Sequence, residues 1–294
     1  MDLSELLNPG LFALLLLGTI VGILSALLGI GGGLLMVPAL TVWGASPLQA
    51  VATSLVGVVL GSASGSLQNW RRAQLNLERV VLLAPPAMLT TELGVWLANT
   101  LPAGVLLLSF AALQVLTIFL MDFKQRLQKL PKISDPLTLT TTPVVSNQSF
   151  QSSVASGGVG LMQAVSSDPE MAETQIYQSQ GIGLLAGVLS GLFGVGGGVV
   201  MVPLQMLFLG EGIKDAVRTS LGAVTLISLW AVGRHAAAGS VLWLPGLYLG
   251  LGSLCGAQLG ARLLPKLPDA VVGWLFRGLL LLLATYMTLK ALSG

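Results

Sequence analysis

Long apolar runs parted by short polar turns restrict this chain more than any other feature. They fall at about 10–28, 30–43, 50–68, 80–99 and 103–121, and again at about 181–193, 195–209, 216–233, 244–262 and 270–290. Only 9% of the residues are charged, against about 25% in soluble domains. So little charge does not cover a water-facing surface, and the main solvent is therefore lipid. The runs are continuous and rich in Leu, Val, Ala and Gly, whereas a membrane barrel shows segments of about ten residues alternating in polarity. The expected fold class is an all-α polytopic membrane protein, with about four to five hydrophobic helices in each set.

Residues 122–180 separate the two sets. The segment opens DFKQRLQKLPK and continues rich in Ser, Thr, Gln and Gly, a composition that predicts a flexible linker with no core of its own. The expected organisation is a first transmembrane repeat over 10–121, a cytoplasmic linker over 122–180 and a second repeat over 181–290. The run at 11–28 follows MDLSELLNPG, which carries Asp2 and Glu5 and no basic residue. It reads as a retained helix, not a signal peptide. Cys255 is the only cysteine, so no intrachain disulfide forms, and a small residue on an apolar helix is its plain reading. The net charge of +2 gives no basis for nucleic-acid binding.

The two sets match by sequence. Ser25–Leu40 reads SALLGIGGGLLMVPAL and Ser190–Gln205 reads SGLFGVGGGVVMVPLQ, identical at 9 of 16 positions with an offset of 165. The offset becomes 166 where Thr53-Ser54-Leu55 meets Thr219-Ser220-Leu221. The same register pairs Leu93-Gly94 with Leu259-Gly260, Leu101-Pro102 with Leu267-Pro268, and Phe110 with Phe276. Such a register points to a duplication, an arrangement common in secondary transporters.

The runs 30–43 and 195–209 hold 14 and 15 residues, roughly 21–22 Å of helix, short of the 30 Å or so that a span must cover. If 10–43 leaves and returns to one side, or crosses twice, each half crosses an odd number of times and the halves are inverted. If it crosses once, they are parallel. Both arrangements put Arg71, Arg72, Arg79, Lys124, Arg126, Lys129 and Lys132 in the cytoplasm. Inversion adds Lys214, Arg218, Arg262 and Lys266, for 11 basic residues inside against 2 outside, Arg234 and Lys290. The parallel arrangement gives 9 against 4. The positive-inside rule favours inversion, with both termini extracytoplasmic.

Candidate chemistry centres on the glycines. Gly29, Gly31, Gly32 and Gly33 form one cluster, and Gly194, Gly196, Gly197 and Gly198 the other. Each precedes a new helix whose first N–H groups lack intrahelical acceptors, and such ends suit an anion. Two ends related by inversion converge near the midplane; tight helix packing is the competing reading. Thr53, Ser54, Thr219 and Ser220 offer hydroxyls to an oxyanion, or bond back to their own helices. Glu92 lies well inside the run 80–99, and its partner is Gln258. It is a candidate for proton coupling or a buried, protonated acid. Asn69 aligns with His235, the only histidine, which reads either as a substrate or proton contact or as a surface residue of a loop. Arg277, eight positions into the last helix, is a substrate counter-charge or snorkels to the cytoplasmic face.

The doubled G-[IV]-GGG-x-x-MVP, each copy followed by a Thr-Ser element, resembles the sulfite exporter TauE/SafE family of membrane permeases. The resemblance covers 10–121 and 181–290 and leaves the linker uncovered. It implies transport of small sulfur-containing anions such as sulfite, sulfoacetate or other sulfonates. The expected function is a secondary transporter working by alternating access in the cell membrane, with a small anion as substrate and protons as a possible coupling ion. Neither glycine cluster is followed by Lys-[Ser/Thr], so no ATPase motif is present, and no cofactor is expected. A passive anion channel is the alternative. An intramembrane hydrolase built on Ser190 and His235 is the remaining one, weakened because Ser190 has an equivalent in Ser25. Oligomeric state leaves no mark in the sequence.

Overall fold

The computed structural model describes residues 9–129 and 169–293, with side chains over 10–119 and 173–289. Among the described residues ten α-helices follow in order: α1 Pro9–Leu28, α2 Gly33–Val42, α3 Pro47–Arg71, α4 Leu77–Thr100, α5 Ala103–Lys129, α6 Pro169–Phe193, α7 Gly198–Phe208, α8 Ile213–Ala237, α9 Trp243–Leu263 and α10 Asp269–Ser293. A short 3-10 turn, Leu264–Lys266, joins the last two. No strand occurs among the described residues. Among the described residues, five helices are long and apolar enough to span a bilayer: α1, α3, α4, α8 and α10. The protein is an all-α polytopic membrane protein, as its apolar runs predict.

The ends of the expected linker are helical. Helix α5 continues to Lys129, and α6 begins at Pro169, twelve residues before the apolar run at 181. Apolarity marks where a helix meets lipid and not where it starts. Pro169 suits a first helical turn, and Glu, Met, Ala and Gln after it are good helix formers. The remainder of 122–180 lies outside the described residues.

Local signals set the other boundaries. Ser46 and Gln49 form a reciprocal capping box at the start of α3, and Asn76 Oδ1 accepts the Arg79 N–H at the start of α4 (3.1 Å). Each such cap satisfies a donor that the helix leaves open. The α1–α2 and α6–α7 joints are made by glycine. Gly29, Gly31 and Gly32 have φ of 71°, 81° and 90°, and Gly194, Gly196 and Gly197 have 68°, 74° and 77°. Three left-handed residues within four positions reverse the chain at a cost that side chains with Cβ do not tolerate.

Glycine stripes also bring helices into backbone contact. On α9, Gly252, Gly256 and Gly260 press against the backbone of Leu15, Thr19 and Ile23 on α1. On α6, Gly183, Gly187 and Gly191 press against Leu83, Ala87 and Thr91 on α4. In lipid, where apolar burial does not drive helix association, such close approach supplies the dispersion and packing that hold helices together. Both registers rise together, so α1 runs parallel to α9, and α6 parallel to α4. The same test makes α3 parallel to α9, since Thr53 and Val56 border Gly246, and Arg72 reaches Ala261 O.

One end of the bundle collects charge. Arg79 pairs with Glu211, Lys214 with Asp269 (3.1 Å), and Arg72 Nη1 donates to Ala261 O (3.4 Å). Arg71, Arg218, Arg262 and Lys266 belong to the same helix ends. Helices α1, α3 and α9 run toward this basic end, and α4, α6 and α8 run away from it. Sequence-matched helices (α1 with α6, α3 with α8, α4 with α9) therefore point in opposite directions. Tryptophan marks both edges of the apolar zone: Trp43, Trp96, Trp230 and Trp243 are exposed toward the far end, and Trp70 and Trp274 toward the basic end. Indole rings favour that boundary.

Candidate functional site

The two glycine breaks meet at the centre of the bundle. A Cβ added to Gly33 would land on the Gly194 carbonyl, and one added to Gly198 would land on the Gly29 carbonyl. Gly31 and Gly196 both lie against Val58 of α3 and Val224 of α8. Six of the eight clustered glycines predicted from sequence are thus brought together, while Gly32 packs on Val21 and Ser25 and Gly197 on Ala186. Beyond each break a helix starts: the Leu35 and Met36 N–H groups donate to Gly32 O (3.2 and 3.3 Å), and those of Val200 and Met201 to Gly197 O (3.3 and 3.2 Å). The N–H groups of the two preceding residues in each case have no acceptor within their helix. Each positive end starts against the other break, Gly33 beside Gly194 and Val195, and Gly198 beside Gly29 and Ile30.

Ser54 and Ser220 fasten the breaks to one another. Gly29 N closes the last turn of α1 on Ser25 O (2.8 Å), and Gly194 N closes α6 on Ser190 O (2.9 Å). Each glycine's own carbonyl then lies past its helix end, where no later turn supplies a donor. Ser220 Oγ donates to Gly29 O at 2.8 Å, and Ser54 Oγ reaches Gly194 O at 3.0 Å and Val51 O at 2.8 Å. Each half thus supplies the donor that the other half's break requires. In this conformation both hydroxyls face carbonyls, and the two breaks are in close contact.

The neighbouring threonines look the other way. Thr53 Oγ1 accepts the Leu242 N–H (2.9 Å) in the α8–α9 turn, at the end opposite the basic residues. Thr219 borders a cavity at the basic end. Both are buried, and they point toward opposite ends of the bundle.

His235 reaches the last turn before the second break, through Gly191, while Glu92 pairs across to α8 and Asn69 is buried in α3. Glu92 is only partly buried: its Oε2 is 2.6 Å from Arg234 Nε, and Trp230 Nε1 donates to its Oε1 (3.1 Å). The pair lines an open cavity of about 740 Å³ between α4 and α8. The run containing Glu92 is apolar, but the α8 partner that neutralises the carboxylate is invisible in it. His235 is not a surface loop residue. It belongs to α8, is fully buried, and its Nε2–H donates to Gly191 O (3.0 Å), leaving Nδ1 without a partner. The glycine stripe of α6 exposes a backbone carbonyl there, and the imidazole satisfies it. Asn69 is buried in α3, with Nδ2 unpartnered. Both residues sit fifteen positions beyond the break-facing serines, about 22 Å along the helix. Arg277 lies within α10.

The sequence reading missed a second polar cluster. Arg79, Glu211, Asp215 and Arg218, with Asn76, Gln74 and Thr219, line a cavity of about 610 Å³ at the basic end. In the sequence Arg79 and Arg218 stand out only as orientation signals. Their position beside a Thr-Ser element was the available clue. Among the described residues no three of His, Cys, Asp and Glu gather as a metal site would require.

Comparison with known proteins agrees with this architecture. The family model described as Sulfite exporter TauE/SafE matches residues 14–287. The probable membrane transporter protein YunE of Bacillus subtilis is 24% identical over 281 residues, covering 92% of this chain and 94% of its own. The probable membrane transporter protein ORF9 of Sinorhizobium sp is 27% identical over 250 residues, covering 83% and 78%. A second Bacillus subtilis relative, the probable membrane transporter protein YjnA, is 25% identical over 256 residues, covering 86% and 90%. No solved structure gives a significant match. With its family model spanning both glycine breaks, the chain belongs to the sulfite exporter TauE/SafE family, and it is a membrane transporter rather than an enzyme.

Proposed function

We propose that the protein moves a small sulfur-containing anion, such as sulfite or an organosulfonate, by alternating access, and that the anion binds between the two glycine breaks. One observation carries this reading: the reciprocal pair Ser220 Oγ to Gly29 O and Ser54 Oγ to Gly194 O. In the packed state these bonds hold the breaks shut. When the breaks part, the same two hydroxyls and the free N–H groups at the starts of α2 and α7 become available to an oxyanion. A substrate bound there replaces the contacts that closure supplied, so binding and opening are coupled.

The two halves are inverted repeats on this reading, as the opposed directions of matched helices support. Each α1–α2 and α6–α7 joint is then a hairpin that returns to its own side, leaving three crossings per half. The basic end faces the cytoplasm by the positive-inside rule, which puts the 122–180 segment there and the termini outside. The proton is the candidate coupling ion, with Glu92, Asn69 and His235 as candidate contacts.

Flux of radiolabelled sulfoacetate and sulfite into proteoliposomes, with and without an imposed pH gradient, tests the reading. Saturable uptake with counter-exchange is expected. Unsaturable flux and ohmic currents would identify a channel, and no movement or binding of any sulfur oxyanion would end the substrate assignment.

A further inference from the structure

We propose that the cavity at the basic end is the vestibule where the anion is first held, with Arg79 and Arg218 as its cationic contacts and Thr219 at its inner wall. This rests on the anion-transport reading above and adds the side from which the described state is loaded. The vestibule lies between the α3–α4 and α7–α8 turns, has a volume of about 610 Å³, and takes Arg79 from the first turn of α4 and Arg218 from the second turn of α8.

Both guanidinium groups are partly withdrawn from water, with side-chain exposures of 27% and 13%. Screening is weaker there than at an open surface. Each is held by one carboxylate. Arg79 pairs with Glu211, and Arg218 Nη1 lies 2.9 Å from Asp215 Oδ1. A guanidinium has five N–H donors, more than one carboxylate satisfies. Asp215 is 68% exposed, so its departure to water costs little. A sulfonate or sulfite group offers three acceptor oxygens and can engage both arginines, either on their remaining edges or in place of a carboxylate.

The vestibule also leads inward. Thr219 is only 2% exposed yet borders it, and the next residue, Ser220, donates to the Gly29 carbonyl of the break. At the opposite end the matching threonine is closed off, because Thr53 Oγ1 accepts the Leu242 N–H. Two sequence-matched positions therefore have different surroundings, one against a cavity and one against backbone. Thr219 thus borders the basic-end cavity, while Thr53 is held by backbone at the opposite end.

The test uses the full chain in proteoliposomes of known orientation. Cys255 is exposed and is the only native thiol, so Cys255→Ser supplies the background for Thr219→Cys and, separately, Thr53→Cys. A charged, membrane-impermeant thiol reagent is expected to label Thr219→Cys from the basic end only and to leave Thr53→Cys unlabelled from the opposite end. Sulfoacetate should slow labelling at 219. The double variant Arg79→Gln/Glu211→Gln removes both members of the ion pair together, and Arg218→Gln leaves Asp215, which is exposed. Each should raise the sulfoacetate concentration for half-protection by about tenfold, the loss expected for one charge-assisted hydrogen bond. An unreactive Thr219→Cys, equal labelling of Thr53→Cys, or protection unchanged in both arginine variants would overturn the vestibule. Protection with the expected dependence on Arg79 and Arg218, but no sulfoacetate flux by the parent protein, would support the vestibule and count instead against the transport reading.

Discussion

Ser220→Ala isolates what the reciprocal hydroxyls do. The side chain is fully buried and donates to Gly29 O at 2.8 Å. Gly29 has φ of +71° and ends α1, so its carbonyl has no donor from a following turn. Truncation therefore leaves a buried acceptor unsatisfied, at a cost of about 1–3 kcal/mol. For a chain of this size that lowers the thermal midpoint by about 2–10 °C. Ser54→Ala should fall at the lower end, because its hydroxyl is shared with Val51 O, the closer of two acceptors. Ser109→Ala, which loses only a bond to Leu106 O within its own helix, serves as the control and should change stability by less than about 0.5 kcal/mol. The assay is thermal unfolding of detergent-purified protein, ligand-free and with saturating sulfoacetate. An unchanged ligand-free midpoint for Ser220→Ala, with only the ligand-induced shift reduced, would refute the argument: the hydroxyl would then serve the anion and not the closed break.

Gly198→Ala puts a Cβ onto the Gly29 carbonyl and 3.0 Å from Ile30 Cα. Neither atom can rotate away, so a loss of about 1–3 kcal/mol is expected; Gly104→Ala, with nothing within 4 Å, should be neutral or slightly stabilising in the same unfolding measurement. His235→Ala removes the donor to Gly191 O and opens a buried cavity, which should cost about 2–4 kcal/mol; chemical unfolding of the variant checks it. Glu92→Gln breaks a pair whose side chains are 39% and 50% exposed, so it should shift stability by less than about 1 kcal/mol. Any difference should shrink further when the melt is repeated at high salt.

Helix class, the number of apolar segments and the pairing of the two glycine clusters were legible because each is written in local sequence. Lipid demands apolar runs, and a left-handed turn demands glycine at Gly31-Gly32 and Gly196-Gly197. Asn69 and His235 could be aligned but not interpreted, since burial depends on the helix packed opposite. The His235 environment exists only because the α6 stripe exposes the Gly191 carbonyl. The partners of Glu92 were illegible for the same reason: Arg234 and Trp230 come from a helix 138 or more positions away. The extent of α6 was missed because its first turns are polar, and periodic apolarity does not report a helix that stands clear of the core.

The sequence by itself determined that this chain enters a bilayer, breaks at two matched glycine clusters and carries most of its basic residues on the turns of one end. Those follow from solvent, backbone sterics and charge, which act residue by residue. Only the tertiary structure decided that the two breaks touch, that Ser54 and Ser220 cross over to satisfy each other's carbonyls, and that Thr219 opens to a charged cavity while Thr53 is capped. These depend on contacts between residues some 130 to 190 positions apart. Two matching stretches of sequence can end in unlike surroundings because side-chain environments are set by the packed neighbour, which a local match in sequence does not record.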